Sequence, residues 1–362
     1  MYIVFVTSLL AVLLTYLESK NVIRNGMCVG FGLVTLLGVI HYNYGNDYMP
    51  YYNLYKEINN SHFNINVLLD NDFYKDFGWV LICWIFRNIG GFFMMVAVLN
   101  IIQNAIVYNF IKKNVNKEWW GLSVFCYLFI TSLYLLNFSM MRQGFVVCVF
   151  LGTWTLIKKR KWLPALIIIY LCSFIHSSAI ILLPFAFYGY LPVKKGKVLA
   201  FVFLALFFIL WMSSEFLGSV FNYLLAIEEF QNYAETYDGG DKVTKVGIGF
   251  LLNLIPFFLG LHYLIKSKDS DSNRRLVILL LISYMIAPFS QIIQLMGRVG
   301  IYFEAYTLAS LPLIYSNVKS NKYRLIFIAI YLVIQLYSYW YFFYEGVYAK
   351  PYRTFHTIFE VL

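Results

Sequence analysis

Apolar blocks recur along the whole chain and alternate with short polar segments. Segment 200–212, for example, is apolar at every position. Most blocks are close to the roughly 20 residues that an α-helix needs to cross a hydrocarbon core about 30 Å thick. A transmembrane β-barrel would instead alternate apolar and polar residues over segments of about ten. The pattern therefore predicts helices that span a membrane.

Polar residues between the blocks divide the chain into about twelve predicted transmembrane helices. Their approximate bounds are 2–17, 26–42, 91–111, 119–137, 140–157, 162–176, 177–191, 198–212, 246–265, 275–290, 298–316 and 324–343. We interpret residues 1–362 as a single all-α polytopic membrane domain. No basic segment precedes the first block, so we expect it to be a retained span and not a cleaved signal peptide.

Composition excludes a water-soluble globular protein. Apolar residues make up 61% of the chain and charged residues only 13%, whereas soluble domains carry about 25% charge. The five cysteines lie in or beside apolar blocks without the spacing of a metal site or a disulfide framework. We expect them to be packing residues.

The charged residues that give the formal charge of +10 fall into two sets along the chain. One set holds 19 of the 28 basic residues and four of the 18 acidic ones, a net +15, and the rest of the chain is net −5. The basic residues of the first set are Lys20, Arg24, Lys112, Lys113, Lys117, 158–161, Lys194, Lys195, Lys197, Lys266, Lys268, Arg274, Arg275, Lys319, Lys322 and Arg324. Cytoplasmic loops carry such an excess, so the charge predicts topology and no nucleic-acid partner.

This topology places both termini and the two long loops, 43–90 and 213–245, on the outer side. Segment 76–88 is apolar but too short to span the bilayer, and 215–233 has apolar residues at helical spacing. Both are typical of helices that lie in the membrane interface.

Four titratable or cationic residues fall at one depth. A rise of 1.5 Å per residue places His41 about 26 Å from Arg24, and Arg142 about 24 Å from Lys158. The same measure places His176 about 22 Å from Lys161, and Arg298 about 30 Å from Lys319. All four therefore lie near the outer interface. Ionisable groups within spans are costly, so the presence of these four residues suggests a function.

Each of these residues also has an ordinary structural interpretation. The arginines could extend to the lipid headgroups, and the histidines could be hydrogen-bonded residues at helix ends. Asp47 could be an Asx-turn residue. The nearby Tyr48, Tyr51 and Tyr52 could belong to an interfacial aromatic belt or stack on sugar rings.

Two arginines, a histidine and a carboxylate together suit a lipid-pyrophosphate substrate. Arginine binds phosphate groups in a bidentate manner, and histidine accepts a proton near neutral pH. The set fits glycosyl transfer, and it also fits lipid-phosphate transport. The sequence shows no metal-ligand cluster, so we expect no metal and no other cofactor.

Five segments resemble the EpsG family of Wzy-type bacterial polysaccharide polymerases. They are HYNYGNDYMPYYNLY at 41–55, MRQGFVVCVFLGTWTLIKKRKW at 141–162, CSFIHSSAIILLPF at 172–185, MGRVGIYFEAY at 296–306 and AKPYRTFHTIF at 349–359. They follow the family's order over nearly the whole chain. Where the family usually has arginine before its GTDY segment, this chain has His41, and the threonine of GTDY is Asn46.

The resemblance implies a Wzy-type, GT-C-like helical bundle. It also implies an active cavity lined by Asp47, Arg142, His176 and Arg298. Neighbouring substrate-binding candidates are His41, Tyr48, Tyr52, Gln143 and Tyr302. Arg142 and Arg298 would hold the donor pyrophosphate, with His176 as the first candidate for the base and Asp47 as the second.

The implied reaction moves a growing chain from undecaprenyl pyrophosphate to the next lipid-linked repeat unit. It would make O-antigen, capsule or exopolysaccharide on the outer face of the bacterial cytoplasmic membrane, without a metal. The expected partners are undecaprenyl-pyrophosphate-linked oligosaccharide, as donor and acceptor, and membrane lipids, with a chain-length regulator protein as a further candidate. An O-antigen ligase-type transferase and a lipid-linked oligosaccharide flippase remain alternatives, although polar groups at one face favour an enzyme over a transporter.

Overall fold

The computed structural model describes residues 2–60, 76–213, 216, 218–220, 223, 247–290, 294–344 and 352–354. The chain forms two compact units, Met1–Tyr190 with Gln335–Leu362, and Leu191–Ile334. Their boundaries fall at Tyr190 and within the last long helix.

The first unit is helical, with one short β-ladder among its described residues. Its elements are α1 (Tyr2–Ser19), α2 (Gly26–Ile40), β1 (His41–Tyr42), α3 (Tyr48–Asn60), α4 (Phe77–Arg87), α5 (Gly91–Asn114), a 3-10 turn (Lys117–Trp119), α6 (Trp120–Phe129), α7 (Leu136–Ser139), α8 (Met141–Lys158), α9 (Trp162–Ser173), a 3-10 helix (Ser177–Tyr190) and β2 (Arg353–Thr354). The two strands are antiparallel and pair His41 with Thr354.

The second unit contains helices only, within its described residues. They are α10 (Gly196–Met212), α11 (Ile248–Asn253), α12 (Ile255–Lys266), α13 (Asp271–Ser290), α14 (Gln294–Glu304), α15 (Thr307–Ser316) and the first part of α16 (Asn321–Tyr344). Helix α16 continues into the first unit from Gln335.

Among the described residues, four helical segments are long and apolar enough to cross a membrane. They are Tyr2–Ser19, Gly91–Asn114, Ile248–Lys266 and Asn321–Phe342, and several shorter apolar helices accompany them. An all-α membrane protein is therefore confirmed. The count of about twelve spans stays a prediction.

The predicted span 177–191 is a 3-10 helix, Ser177–Tyr190, instead of an α-helix. A 3-10 helix rises about 2.0 Å per residue. Its 14 residues therefore extend about 28 Å, compared with about 21 Å in an α-helix. The tighter winding makes this short segment nearly as long as the hydrocarbon core is thick.

Three other predicted helices are interrupted, and one of them, 246–265, divides into α11 and α12 at Leu254. Residues 119–137 divide into α6 and α7 around an irregular segment in which the buried Tyr134 donates its hydroxyl to the carbonyl of Val34 at 2.6 Å. The predicted helix 298–316 divides into α14 and α15 at Ala305 and Tyr306.

Contacts between loops follow the partition of charge. Lys117 Nζ donates to Asn21 Oδ1 at 2.7 Å, and Arg160 Nε donates to the carbonyl of Gly189 at 3.3 Å. Both contacts join segments that are predicted on the inner side. On the predicted outer side, the β-ladder joins the end of α2 to the segment beyond α16. The side of the membrane on which each contact lies stays a prediction.

Candidate functional site

Arg142 lies in the first turn of α8 and forms an ion pair with Asp76, the residue immediately before α4. The two side chains are 24% and 27% exposed. Arg142 Nε also donates to the Tyr51 hydroxyl at 3.4 Å, and the guanidinium lies 5.3 Å from the centre of the Tyr51 ring. Three helices therefore orient one partly accessible cation.

The position of Arg142 favours an anionic ligand. A cation in the first turn of a helix opposes the positive end of the helix dipole. The carboxylate of Asp76 offsets this unfavourable placement. Of the five N–H donors of the guanidinium, the described residues Asp76 and Tyr51 engage one at Nη1 and the one at Nε. The other donors can bind the oxygens of a phosphate or pyrophosphate group.

Helix α4 connects this ion pair to the turn that carries His176. The backbone N–H of Gly78 donates to the carbonyl of Phe174 at 2.8 Å. A Cβ on Gly78 would lie only 3.0 Å from that carbonyl's carbon and oxygen. Glycine therefore allows α4 to approach the turn closely, with Asp76 two residues before this contact.

His176 lies between α9 and the 3-10 helix and is half-buried. Its backbone N–H donates to the carbonyl of Cys172 at 3.0 Å, and its own carbonyl accepts the N–H of Ala179 at 2.9 Å. The preceding Ile175 packs against a buried aromatic cluster that includes Tyr51, the residue whose hydroxyl accepts from Arg142. The backbone at His176 is thus held from both sides.

Asp47 lies just before α3, half-buried, and its carbonyl accepts the N–H of Tyr51 at 3.0 Å. Gly45 has a φ of 100°, and a Cβ there would lie 2.5 Å from the carbonyl oxygen of Phe138. The N–H of Asn46 donates to Ser139 Oγ at 3.2 Å. The loop before Asp47 is therefore packed against the segment that leads into Arg142.

Aromatic and apolar residues form the core beneath the ion pair. This aromatic core includes Tyr48, Tyr51, Tyr55, Trp79, Cys83, Phe92, Met95 and Met141. Tyr48 is fully buried, and its hydroxyl donates to the carbonyl of His41 at 3.4 Å. Burial raises the pKa of Tyr48 far above its usual value, so its hydroxyl stays protonated. Tyr52 is only partly buried and lies beneath Lys56 Nζ, 4.3 Å from the ring centre.

His41 is fully buried at the end of α2. Its Nδ1 lies 2.6 Å from the carbonyl oxygen of Gly38, and its ring contacts those of Tyr48 and Phe138. These contacts favour a packing role, and the predicted contact of His41 with substrate stays a prediction. Gln143, next to Arg142, is also buried.

Arg298 and Tyr302 belong to the second unit. Both lie on α14, where Arg298 is half-buried and Tyr302 fully buried. Helices α13 and α14 pack closely at two glycines: a Cβ on Gly297 would lie 3.4 Å from Ser290 Cβ, and one on Gly300 would lie 3.4 Å from Ile286 Cγ2. That Arg298 shares a cavity with Arg142, Asp47 and His176 stays a prediction.

The sequence did not identify Asp76 or Gly78 as site residues. In the sequence, Asp76 only begins the apolar segment 76–88, which predicts an interfacial helix. An aspartate directly before an apolar segment is a common helix N-cap, but that signal does not indicate a distant arginine partner. Among the described residues, no group of three or more histidine, cysteine, aspartate or glutamate side chains could hold a metal ion.

Comparison with known proteins identifies a family whose sequence model matches this chain. A sequence model of the EpsG family matches residues 26–354. The match includes Asp47, Asp76, Arg142, His176 and Arg298. No curated protein and no solved structure matches the chain.

Proposed function

The chain belongs to the EpsG family, and from this premise we propose that it polymerises lipid-linked oligosaccharide units. Family membership makes it a membrane protein of polysaccharide biosynthesis. In the proposed reaction, a growing chain on undecaprenyl pyrophosphate is transferred to the next lipid-linked repeat unit. The placement of Arg142, accessible and oriented by Asp76 and Tyr51, is the observation that carries the proposal.

The proposed reaction is a substitution at the anomeric carbon of the donor sugar. A hydroxyl of the acceptor's nonreducing sugar attacks this carbon and forms the new glycosidic bond. The bond between the carbon and the pyrophosphate oxygen breaks, and undecaprenyl pyrophosphate leaves with the bonding electrons. Arg142 and Arg298 stabilise the charge that develops on the leaving group, and the acceptor proton goes to a base.

Asp76 acts as a positioning residue in this scheme. An arginine side chain loses about 2 kcal/mol of rotamer entropy when it is held in one conformation. The ion pair with Asp76 and the contact with Tyr51 restrict Arg142 before substrate binds. The pyrophosphate then meets a guanidinium that is already oriented.

His176 is our first choice for the base, and Asp47 is the second. Unperturbed imidazole titrates near pH 6.5, so a neutral histidine is available at physiological pH. The turn of His176 is attached to α4 through Phe174 and Gly78. This attachment supports a fixed position of the base relative to Asp76 and, through it, to Arg142.

The product of the purified protein tests this function. The protein is reconstituted in liposomes with an undecaprenyl-pyrophosphate-linked repeat unit, and the products are separated by size. A ladder of repeats is the expected result. A single addition to another acceptor would indicate a ligase, and translocation without a new bond would indicate a flippase.

A further inference from the structure

The second unit contains a cavity of about 750 Å³ that the proposed reaction does not use. The end of α12, the turn 317–320 and the first turns of α16 surround it. Its volume is within the range of about 300–1,000 Å³ that is typical of ligand sites.

Basic side chains line one part of this cavity, and apolar side chains line another part. Lys266, Lys319 and His262 line it together with Asn317, while Phe327 contributes apolar surface. None of the 11 residues that line the cavity, all of them in the described part of the chain, is acidic. Because α16 begins beside the cavity, its N-terminal N–H groups add to the positive potential of the two lysines.

Asp269 is the acidic residue of the adjoining loop, and it already has partners. Its carboxylate accepts the hydroxyl of Tyr263 at 2.6 Å, and its N–H donates to Ser267 Oγ at 3.0 Å. The guanidinium of Arg274 also donates to the carbonyl of Ser267. Asp269 is therefore held in its loop by Tyr263 and Ser267, and it is not among the residues that line the cavity.

The predicted topology places the cavity near the cytoplasmic lipid headgroups. Lys266 and Lys319 belong to loops that the charge pattern assigns to the cytoplasmic side. Tyr323, which lines the cavity, is 59% exposed, as is typical of an interfacial aromatic residue. Basic cavities between membrane helices on this side suit anionic lipid headgroups.

We propose that this cavity binds the phosphate headgroup of an anionic membrane lipid. Lys266 and Lys319 contact the phosphate oxygens, and Phe327 packs against the start of an acyl chain. The proposal depends on the predicted orientation of the spans but not on the polymerase reaction.

Native mass spectrometry of the purified full-length protein tests this proposal. Phosphatidylglycerol and the zwitterionic phosphatidylcholine are added at equal concentrations. We expect phosphatidylglycerol to bind more tightly, and the double variant Lys266→Gln, Lys319→Gln to weaken its binding about tenfold. The control is Lys268→Gln, Lys322→Gln. All four lysines are exposed, so the control removes the same charge at equally exposed positions that do not line the cavity.

Equal weakening in both double variants would overturn the proposal, as would equal binding of the two lipids by the unmodified protein. Undecaprenyl phosphate and inorganic phosphate serve as further probes. Tighter binding of undecaprenyl phosphate, lost in the cavity variant, would support the site and identify a polyprenyl lipid. Displacement of phosphatidylglycerol by equimolar inorganic phosphate would contradict a lipid site.

Discussion

The backbone N–H of Gly78 donates to the carbonyl of Phe174 across 2.8 Å, although 96 positions separate the two residues in the chain. This bond attaches the start of α4 to the turn before His176. Asp76, at the same end of α4, pairs with Arg142. One short helix therefore links the proposed phosphate-binding residue to the proposed base.

Gly78→Ala should separate these groups. The added Cβ would lie 3.0 Å from the Phe174 carbonyl, so α4 or the turn must move. The required shift is a few tenths of an ångström. Because a 1 Å misplacement at a catalytic site can cost about 100-fold in rate, we expect a loss of about threefold to tenfold at equal protein abundance. The polymerisation rate in membranes measures this effect.

The matched control for this substitution is Gly32→Ala in α2. A Cβ there meets no atom within 4 Å. Alanine is also the better helix former, so this variant should keep the activity and abundance of the unmodified protein. Equal activity of the Gly78 and Gly32 variants would refute the role of the close approach.

Asp76 variants should separate positioning from substrate binding. Asp76→Asn keeps a hydrogen-bond acceptor but removes the charge, whereas Asp76→Ala removes both. If Asp76 orients Arg142, kcat should fall in the order aspartate, asparagine, alanine, while KM changes by less than about threefold. Steady-state kinetics with the lipid-linked substrate provide the test.

Glu57→Gln serves as the control, because Glu57 is an exposed acidic residue on α3, in the same loop 43–90 that is predicted on the outer side. It should behave like the unmodified protein. A rise in KM at constant kcat in the Asp76 variants would instead show that Asp76 contributes equally to ground-state and transition-state binding.

The pH profile should identify the base. A histidine base must be neutral, so kcat/KM of the unmodified protein should rise with pH as the imidazole loses its proton and then level off. His176→Gln should lower the rate and abolish this rise. If the rise persists in His176→Gln and disappears in Asp47→Asn, the base is Asp47.

Cysteine labelling tests the predicted topology. Of the five native cysteines, four are buried and Cys28 is exposed. Burial raises the pKa of the Cys83 thiol to about 12, so it reacts slowly with maleimide at neutral pH. In a Cys28→Ser background, the labelling of an introduced cysteine can therefore be measured with little labelling of the native cysteines.

In this background, an impermeant maleimide should label Asn88→Cys in intact cells and Lys159→Cys only in inverted vesicles. Asn88 follows α4 and Lys159 follows α8, and both are exposed. The reverse pattern would invert the orientation and move Arg142 to the cytoplasmic side.

Much of the helical architecture follows from local sequence. The apolar blocks predict α1, α2, α5 and α10 closely because each is bounded by charged or polar residues. The 3-10 winding of Ser177–Tyr190 was missed because its apolar content is that of an α-helix. The EpsG resemblance, which depends on the order of five short motifs, is confirmed by the family match over 26–354.

The candidate site was only partly predictable for a different reason. The depth of Arg142 and His176 can be estimated along their own helices. The pair between Arg142 and Asp76 joins residues 66 positions apart, and no local pattern encodes such a contact. The burial of His41 likewise depends on Tyr48 and Phe138, which reach it from other segments.

The most direct test of the central claim compares two arginines on the same predicted side of the membrane. Arg142 belongs to the proposed site, whereas Arg87 is exposed at the end of α4. In liposomes with a lipid-linked repeat unit, Arg87→Ala should produce the same ladder of polymer as the unmodified protein. Arg142→Ala should produce none at equal protein abundance. A ladder of normal length and rate from Arg142→Ala would contradict the account.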